Sequence, residues 1–230
     1  MQIKAIKTGI FKEREELIPF IFKYIKKIPE NSVLVITSKI VALSEGRVVS
    51  SKSNKVKLIK RESKFALKTK YTWLTIKDGT IMADAGIDES NANQKLILLP
   101  KNSFLSAEKI HKTLSKNFKI KNLGIIISDS GLIPMRAGVI GMARGYAGIK
   151  GVKSYIGQKD IFGRKFVYSK VDVADSLATV ATLSMGEGNE QQPLALITDA
   201  PVMFTKKINK KELLMNPKKD IYAPLFNKLN

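Results

Sequence analysis

Three short acidic motifs in this chain have the residue types needed to bind a divalent metal ion. Asp88 lies among small and polar residues, Asp129 follows a wholly apolar run, and Glu187 lies between two glycines. An acid at the end of a buried strand projects into the crevice where open α/β sheets bind ligands. Hard cations such as Mg²⁺ and Mn²⁺ prefer carboxylate, hydroxyl and phosphate oxygens, and Ser130 could add a hydroxyl. The motifs therefore predict a metal site that also handles phosphate.

Each acid taken singly has another interpretation, because Asp and Asn are common in turns and caps after strands. The glycines near Glu187 would let backbone amides approach phosphate oxygens. Four further glycines (138, 141, 145 and 148) could form a phosphate cradle, although backbone packing is the favoured interpretation. The chain has no P-loop motif and no Gly-x-Gly-x-x-Gly after a strand, so neither standard phosphate-binding fingerprint is expected. The one histidine, His111, lies on a predicted amphipathic helix and is not a candidate ligand.

The composition is that of a globular and strongly basic protein. The 230 residues are 44% apolar and 26% charged, and 34 Lys and 6 Arg against 20 acids give a net charge of +20. This charge attracts anions, but nucleic-acid recognition usually relies on arginine, so nucleic acid is not the expected partner. No apolar run is long enough to cross a membrane, no signal-peptide pattern follows Met1, and there is no cysteine. We therefore expect a cytoplasmic protein.

The hydrophobic pattern predicts a mixed α/β fold, with mixed sheets and flanking helices. Strands are predicted at 3–8, 33–37, 48–49, 71–76, 80–83, 96–99, 123–127, 166–173 and 194–198. Helices are predicted at 13–28, at 106–118 and from 175 or 176 to 185, with a helical turn at 38–44. The lysine-rich stretch 50–70 has no firm assignment. We expect one unit over 1–230, and any division into two subdomains would lie near 131–151 or in the stretch 50–70.

The ordered set of motifs resembles the coenzyme F-420 γ-glutamyl ligase family, whose members add glutamate to the deazaflavin precursor F-420-0. The three acids are separated by 41 and 58 residues. The resemblance covers almost the whole chain. It rests on residues 9–11, 37–41, 44–47, 85–91, 98–100, 127–130, 136–138, 155–157, 160, 163–164, 173–175 and 185–188.

The resemblance implies an intertwined homodimer on a γ-glutamyl-ligase-like fold, with two Mg²⁺ or Mn²⁺ ions per site and GTP or ATP as co-substrate. The implied metal ligands are Asp88, Asp129, Ser130 and Glu187, and the three acids are the implied catalytic residues. The implied nucleotide-binding residues are Gly9, Ile10, Phe11, Ser38, Lys39, Asn91, Met185, Gly186, Gly188 and Asn189. Arg136 is the candidate for clamping a substrate phosphate or carboxylate.

The implied reaction forms an amide through an acyl phosphate. The acceptor carboxylate attacks the γ-phosphorus of the nucleotide, and the amine of L-glutamate then displaces phosphate. Phosphoryl transfer of this kind depends on positioning and charge stabilisation more than on a protein nucleophile. A site made of acids, hydroxyls and backbone amides is consistent with that requirement.

The chain departs from the family pattern at several positions. Leu43 replaces a lysine, Ala137 replaces an arginine, Ser130 replaces a threonine, and the segment 49–73 is shorter than usual. These changes concern the acceptor more than the reaction, and the altered basic positions slightly favour a folate-like acceptor over an F-420-0-like one. The alternative class is a non-catalytic nucleotide- or nucleic-acid-binding protein on the same fold.

Overall fold

The computed structural model describes residues 1–226 and confirms a mixed α/β fold. The strands are β1 (Gln2–Ile6), β2 (Ser32–Thr37), β3 (Val48–Ser50), β4 (Phe65–Lys68), β5 (Trp73–Lys77), β6 (Thr80–Ala83), β7 (Lys95–Ile97), β8 (Leu123–Leu132), β9 (Val139–Ala147), β10 (Val152–Ser154), β11 (Lys170–Asp172) and β12 (Leu194–Thr198). The α-helices are α1 (Leu17–Tyr24), α2 (Ser38–Ser44), α3 (Lys55–Glu62), α4 (Ser103–Phe118), α5 (Val173–Met185) and α6 (Ala223–Phe226). Short 3₁₀ turns occupy Asp84–Gly86 and Pro217–Lys219.

A five-stranded sheet in the order β1-β12-β2-β8-β9 forms the centre of the molecule. Strands β2 and β8 are parallel, and the other neighbouring strands are antiparallel. The apolar run of β2 is buried on both faces, as its sequence predicts. Leu34 and Ile36 pack against α1 and α4 on one face, and Val33 and Val35 pack against α5 on the other. This layered packing fixes the ends of β2 and β8.

The strand predicted at 123–127 is longer in the structure. It continues as β8 to Leu132 and pairs with β9, which the sequence did not predict. The apolar pattern ends at Ile127, but the backbone pairing resumes after a register shift between Ile127 and Ser128. Asp129 therefore lies inside a strand and not after one, which corrects the sequence-based expectation.

The glycines of β9 allow helices to approach the sheet closely. A side chain at Gly141 would overlap Thr182 and the backbone of Ala178 on α5. A side chain at Gly145 would overlap the backbone at the start of α4. Gly148 is likewise enclosed, whereas Gly138 has nothing within 4 Å of where a side chain would begin. These contacts support the packing interpretation for three of the four glycines.

A smaller layer is built from residues 48–98, including the stretch that had no firm assignment. That stretch forms α3, capped by Asn54, and then β4. Two small sheets, β3-β7 and β4-β5-β6, enclose a separate apolar cluster around Ile59 and Leu96. Glu62 of α3 joins Arg47 at 2.6 Å and Lys77 at 3.0 Å. The Arg47 pair ties the smaller layer to the segment that follows α2, and the Lys77 pair joins α3 to β5 within the layer.

Two other predicted elements are shorter than expected. The helix predicted at 13–28 spans only Leu17–Tyr24, because Arg14 has a positive φ of 61° and the preceding residues form a turn. The strand predicted at 166–173 is limited to Lys170–Asp172. Helix α5 begins at Val173, before the predicted start at 175 or 176. It begins there because Asp172 caps the helix, its side chain accepting a hydrogen bond from the Asp175 amide.

The close contact between β9 and α4 yields a stability prediction. We expect Gly145→Ala to lower the free energy of unfolding by about 1–3 kcal/mol, because a methyl group there forces α4 away from the sheet. Urea unfolding measures the loss. Val139→Ala, at an exposed position of the same strand, is the control and should change stability by roughly 0.5 kcal/mol or less. An unchanged unfolding midpoint in Gly145→Ala would contradict the close packing.

Candidate functional site

A cavity of about 360 Å³ lies beside the start of α2 and the second half of β8. Loops after β1, after the 3₁₀ turn at Asp84–Gly86 and after α5 complete its wall. Its lining includes nearly every residue predicted for the site: Gly9, Ile10, Phe11, Ser38, Lys39, Asp88, Asn91, Asp129, Ser130, Met185, Gly186, Glu187, Gly188 and Asn189. Motifs spread over about 180 residues of sequence are therefore brought together by the fold.

Asp129 is held by one neighbour on a helix and one on the adjacent strand. The Ser38 hydroxyl, at the start of α2, donates to Asp129 Oδ1 at 2.6 Å. Nε of Arg144 on β9 lies 3.7 Å from Asp129 Oδ2. Burial raises the pKa of the Asp129 carboxyl, and the Arg144 guanidinium and the Ser38 hydrogen bond act in the opposite direction. Ionised Asp129 thus depends on positive charge supplied nearby.

Asp88 is paired with a lysine. Lys39 Nζ lies 2.8 Å from Asp88 Oδ2 and also donates to the backbone oxygen of Ser90 at 2.8 Å. The Ser90 amide donates to Asp88 Oδ1 at 2.7 Å. Burial opposes ionisation of Asp88, but the Lys39 ammonium and the Ser90 hydrogen bonds outweigh it and lower the pKa of this carboxyl. Asp88 is consequently a stable anion at the mouth of the cavity.

Glu187 reaches the cavity from the end of α5. The helix ends at Gly186, whose φ of 82° turns the chain towards β8. The Ser130 hydroxyl lies within hydrogen-bond distance of both Glu187 carboxylate oxygens, at 2.7 and 2.8 Å. The Asn91 side chain donates to the Gly188 carbonyl at 2.9 Å. The Asp88, Asp129 and Glu187 motifs are therefore linked through their serine and asparagine neighbours.

The loop after α5, which contains Gly186 and Gly188, differs from the prediction that its amides are open to phosphate. The Gly188 amide, expected to be available to phosphate, donates to Glu190 Oε2 at 2.8 Å. The same carboxyl group fills the space beside Gly186. A phosphate oxygen at this amide would have to displace Glu190, which the sequence analysis did not single out.

Arg136 does not line this cavity. Arg136 is exposed in the loop that joins β8 to β9. Its amide donates to the Ile133 carbonyl and closes a backbone turn in that loop. The ends of that loop, Leu132 and Val139, help to form a second cavity of about 180 Å³. Asp129 and Ser130 belong to the walls of both cavities. The substrate role of Arg136 stays a prediction.

The donor atoms suit a hard cation that is shared with phosphate. Three carboxylates and the hydroxyls of Ser38 and Ser130 face the first cavity, and all are oxygen donors. Within residues 1–226, however, no three acidic or histidine side chains converge as a complete metal cage. Mg²⁺ usually takes one or two carboxylates and completes its shell with water and substrate phosphates. The arrangement fits a cation held jointly by Asp129, Ser130 or Glu187 and a nucleotide.

Arg144, the buried cation beside Asp129, was not predicted from the sequence. It stands in Met142-Ala143-Arg144-Gly145-Tyr146, where its neighbours are apolar or small. A charge in such a run is enclosed by protein and requires a partner. That pattern was visible in the sequence, but its meaning depends on the pairing of β9 with β8.

Comparison with known proteins identifies the family. A sequence model described as F420-0:Gamma-glutamyl ligase matches residues 5–199. A Methanococcus maripaludis protein named Coenzyme F420:L-glutamate ligase is 35% identical over 91% of this chain and 86% of its own length. A protein of the same name from Methanocaldococcus jannaschii is 33% identical over 89% of this chain and 90% of its own.

The same comparison confirms the prediction of a ligase family, because these relatives are named as ligases. In the described part of the chain, no helix combines the length and apolar character needed to span a membrane. The resemblance seen in the motifs thus extends over most of the sequence. The chain belongs to the F420-0:Gamma-glutamyl ligase family.

Proposed function

We propose that this protein is a nucleotide-dependent γ-glutamyl ligase that joins L-glutamate to the carboxyl group of an F-420-0-like acceptor. The observation that carries the proposal is the convergence of the Asp88, Asp129 and Glu187 motifs on one cavity. The names of the relatives favour the coenzyme F-420 branch, since they specify this coenzyme and glutamate. A folate-like acceptor is the alternative that the changed basic positions keep open.

The nucleotide is proposed to occupy the 360 Å³ cavity, with its phosphates towards Asp129. Lys39 is close enough to Asp88 to exchange that contact for a phosphate oxygen. Mg²⁺ or Mn²⁺, two per site by family resemblance, would be held by Asp88, Asp129, Ser130 and Glu187. The bound metal would neutralise phosphate charge. Either GTP or ATP is the proposed co-substrate.

The residues of the site then position two consecutive substitutions. The acceptor carboxylate attacks the γ-phosphorus, and the nucleoside diphosphate leaves. The glutamate amine attacks the resulting acyl phosphate, and an amide and inorganic phosphate form. Asp129 and Ser130 lie in the walls of both cavities, so they mark the place where nucleotide and acceptor would meet. Neither step requires a covalent protein nucleophile.

A direct test is glutamate addition by the wild type and by Asp129→Asn. We expect the wild type, offered F-420-0 and a folate side by side with each nucleotide, to yield an acceptor heavier by one or more glutamates in mass spectra. Asp129→Asn keeps the shape of the side chain but removes its charge, and we expect activity to fall at least about 100-fold.

Asp199→Asn is the matched control, because Asp199 is exposed after β12 and outside the cavity. It should retain wild-type activity. Nucleotide binding with no glutamylated product from either acceptor would favour the non-catalytic class. Full activity in Asp129→Asn would remove Asp129 from the proposed machinery.

We also propose that the protein is a homodimer, formed through an apolar arm defined here as residues 155–169. Four large apolar side chains on this arm are strongly exposed: Ile161 at 92%, Phe162 at 89%, Tyr168 at 88% and Val167 at 57%. Exposed apolar surface concentrated in one segment is typical of an interaction site. A second copy of this chain is the occupant that the family resemblance favours.

Light scattering after size exclusion tests the dimer. We expect the wild type to have twice the chain mass of 25.6 kDa, and a variant with Ile161→Lys and Phe162→Lys to have the chain mass. Tyr71→Lys, which changes an equally exposed aromatic residue outside the arm, should remain dimeric. A monomeric wild type at micromolar concentration would contradict the proposal.

A further inference from the structure

Arg144 is a buried cation with unused hydrogen-bond donors. Its side chain is 6% exposed. Nη1 donates to the Thr80 hydroxyl at 3.1 Å, but within residues 1–226 neither Nε nor Nη2 has a hydrogen-bond partner. A guanidinium group cannot lose its proton at ordinary pH, so its charge must be compensated where it lies.

The compensating anion is Asp129. Among the described residues, Asp129 is the one carboxylate within 4 Å of the guanidinium, at 3.7 Å from Nε. That separation is too long for a hydrogen bond but short for an interaction between charges in a buried setting. Strands β8 and β9 hold the two groups, since Asp129 pairs with Met142 and Ser128 with Ala143. The contact is consequently part of the sheet and not of a mobile surface chain.

The chain itself supplies two positive charges beside the three acids. Lys39 compensates Asp88 at 2.8 Å, and Arg144 compensates Asp129. Glu187 faces the Ser130 hydroxyl. Two of the three carboxylates thus already have a positive partner supplied by the chain. A divalent cation placed on Asp129 would lie near the Arg144 guanidinium, 3.7 Å from this carboxylate, and would be repelled by it.

We propose that the Arg144 guanidinium takes the place of one divalent cation at Asp129, so that each site binds one metal ion with the nucleotide instead of two. The proposal rests on the proposed nucleotide-dependent ligase function and changes its metal requirement. Arg144 is a positioning residue in this account, because it acts through Asp129 and does not contact the reacting atoms. It stabilises the ionised carboxylate while limiting how much further positive charge Asp129 accepts.

Mn²⁺ binding measured by electron paramagnetic resonance tests the inference without any turnover. The signal of free Mn²⁺ decreases as the ion binds, which gives both the number of sites and their affinity. In the presence of a nucleotide with a non-hydrolysable β,γ-imido linkage, we expect one tight Mn²⁺ per wild-type chain. We expect Arg144→Met to bind a second Mn²⁺, or to bind the first about tenfold more tightly, a change of ~1.4 kcal/mol.

Arg144→Lys retains the charge and is the matched control, so it should keep the wild-type stoichiometry. Lys39→Met removes the other protein cation and should leave the number of bound Mn²⁺ ions unchanged. A second Mn²⁺ in Lys39→Met as well as in Arg144→Met would contradict a role specific to Arg144. Circular dichroism establishes that each variant is folded, and Arg144→Gln replaces Arg144→Met if the latter does not fold. Two tight Mn²⁺ ions in the wild type would overturn the inference.

The experiment separates this inference from the proposed function. If the chain binds no nucleotide, Mn²⁺ titration without nucleotide still compares the number and affinity of the Mn²⁺ ions bound by the wild type and by Arg144→Met. An unchanged number and affinity of Mn²⁺ in Arg144→Met overturns the inference whether or not glutamate is added. A loss of nucleotide affinity with unchanged Mn²⁺ binding would assign the guanidinium to phosphate and would also overturn it.

Discussion

The parallel pairing of β2 with β8 places Ser38 and Asp129 beside each other, and the candidate site is arranged around that contact. Thr37 at the end of β2 pairs with Ser128 on β8, so Ser38, the first residue of α2, lies beside Asp129 where β8 continues past the end of β2. The Ser38 hydroxyl then reaches Asp129 at 2.6 Å. Buried apolar side chains on both faces fix this register, because a shift by one residue would exchange the side chains that pack on the two faces.

The register shift between β8 and β9, at which Arg144 is the extra residue on β9, determines which groups surround Asp129. The shift between Ile127 and Ser128 lets the strand continue with polar residues while keeping its backbone bonded to β9. Pairing with β9 introduces Arg144 from one side, and the end of α5 introduces Glu187 from the other. The sheet thus holds the acids and one of their counter-charges in fixed positions, as electrostatic catalysis requires.

The residues of the cavity were more predictable from sequence than the interactions between them. Asp88, Asp129 and Glu187 lie in short motifs next to apolar segments. Neighbouring residues in the sequence are therefore enough to mark them as candidate site residues. The burial of Arg144 and the contact of Glu190 with the Gly188 amide depend on which strands and loops become neighbours. Hydrophobic periodicity does not determine such neighbours, and it also ended β8 too early, because backbone pairing with β9 continues where the apolar pattern stops.

In the proposed reaction, this site activates a carboxylate by phosphorylating it. The most direct measurement uses an F-420-0 acceptor whose carboxylate oxygens are ¹⁸O, together with glutamate, Mg²⁺ and nucleotide, followed by mass analysis of the phosphate released. Attack of the carboxylate on the γ-phosphorus predicts one ¹⁸O atom in each inorganic phosphate and one in the new amide. Amide formation accompanied by phosphate without ¹⁸O would contradict the account.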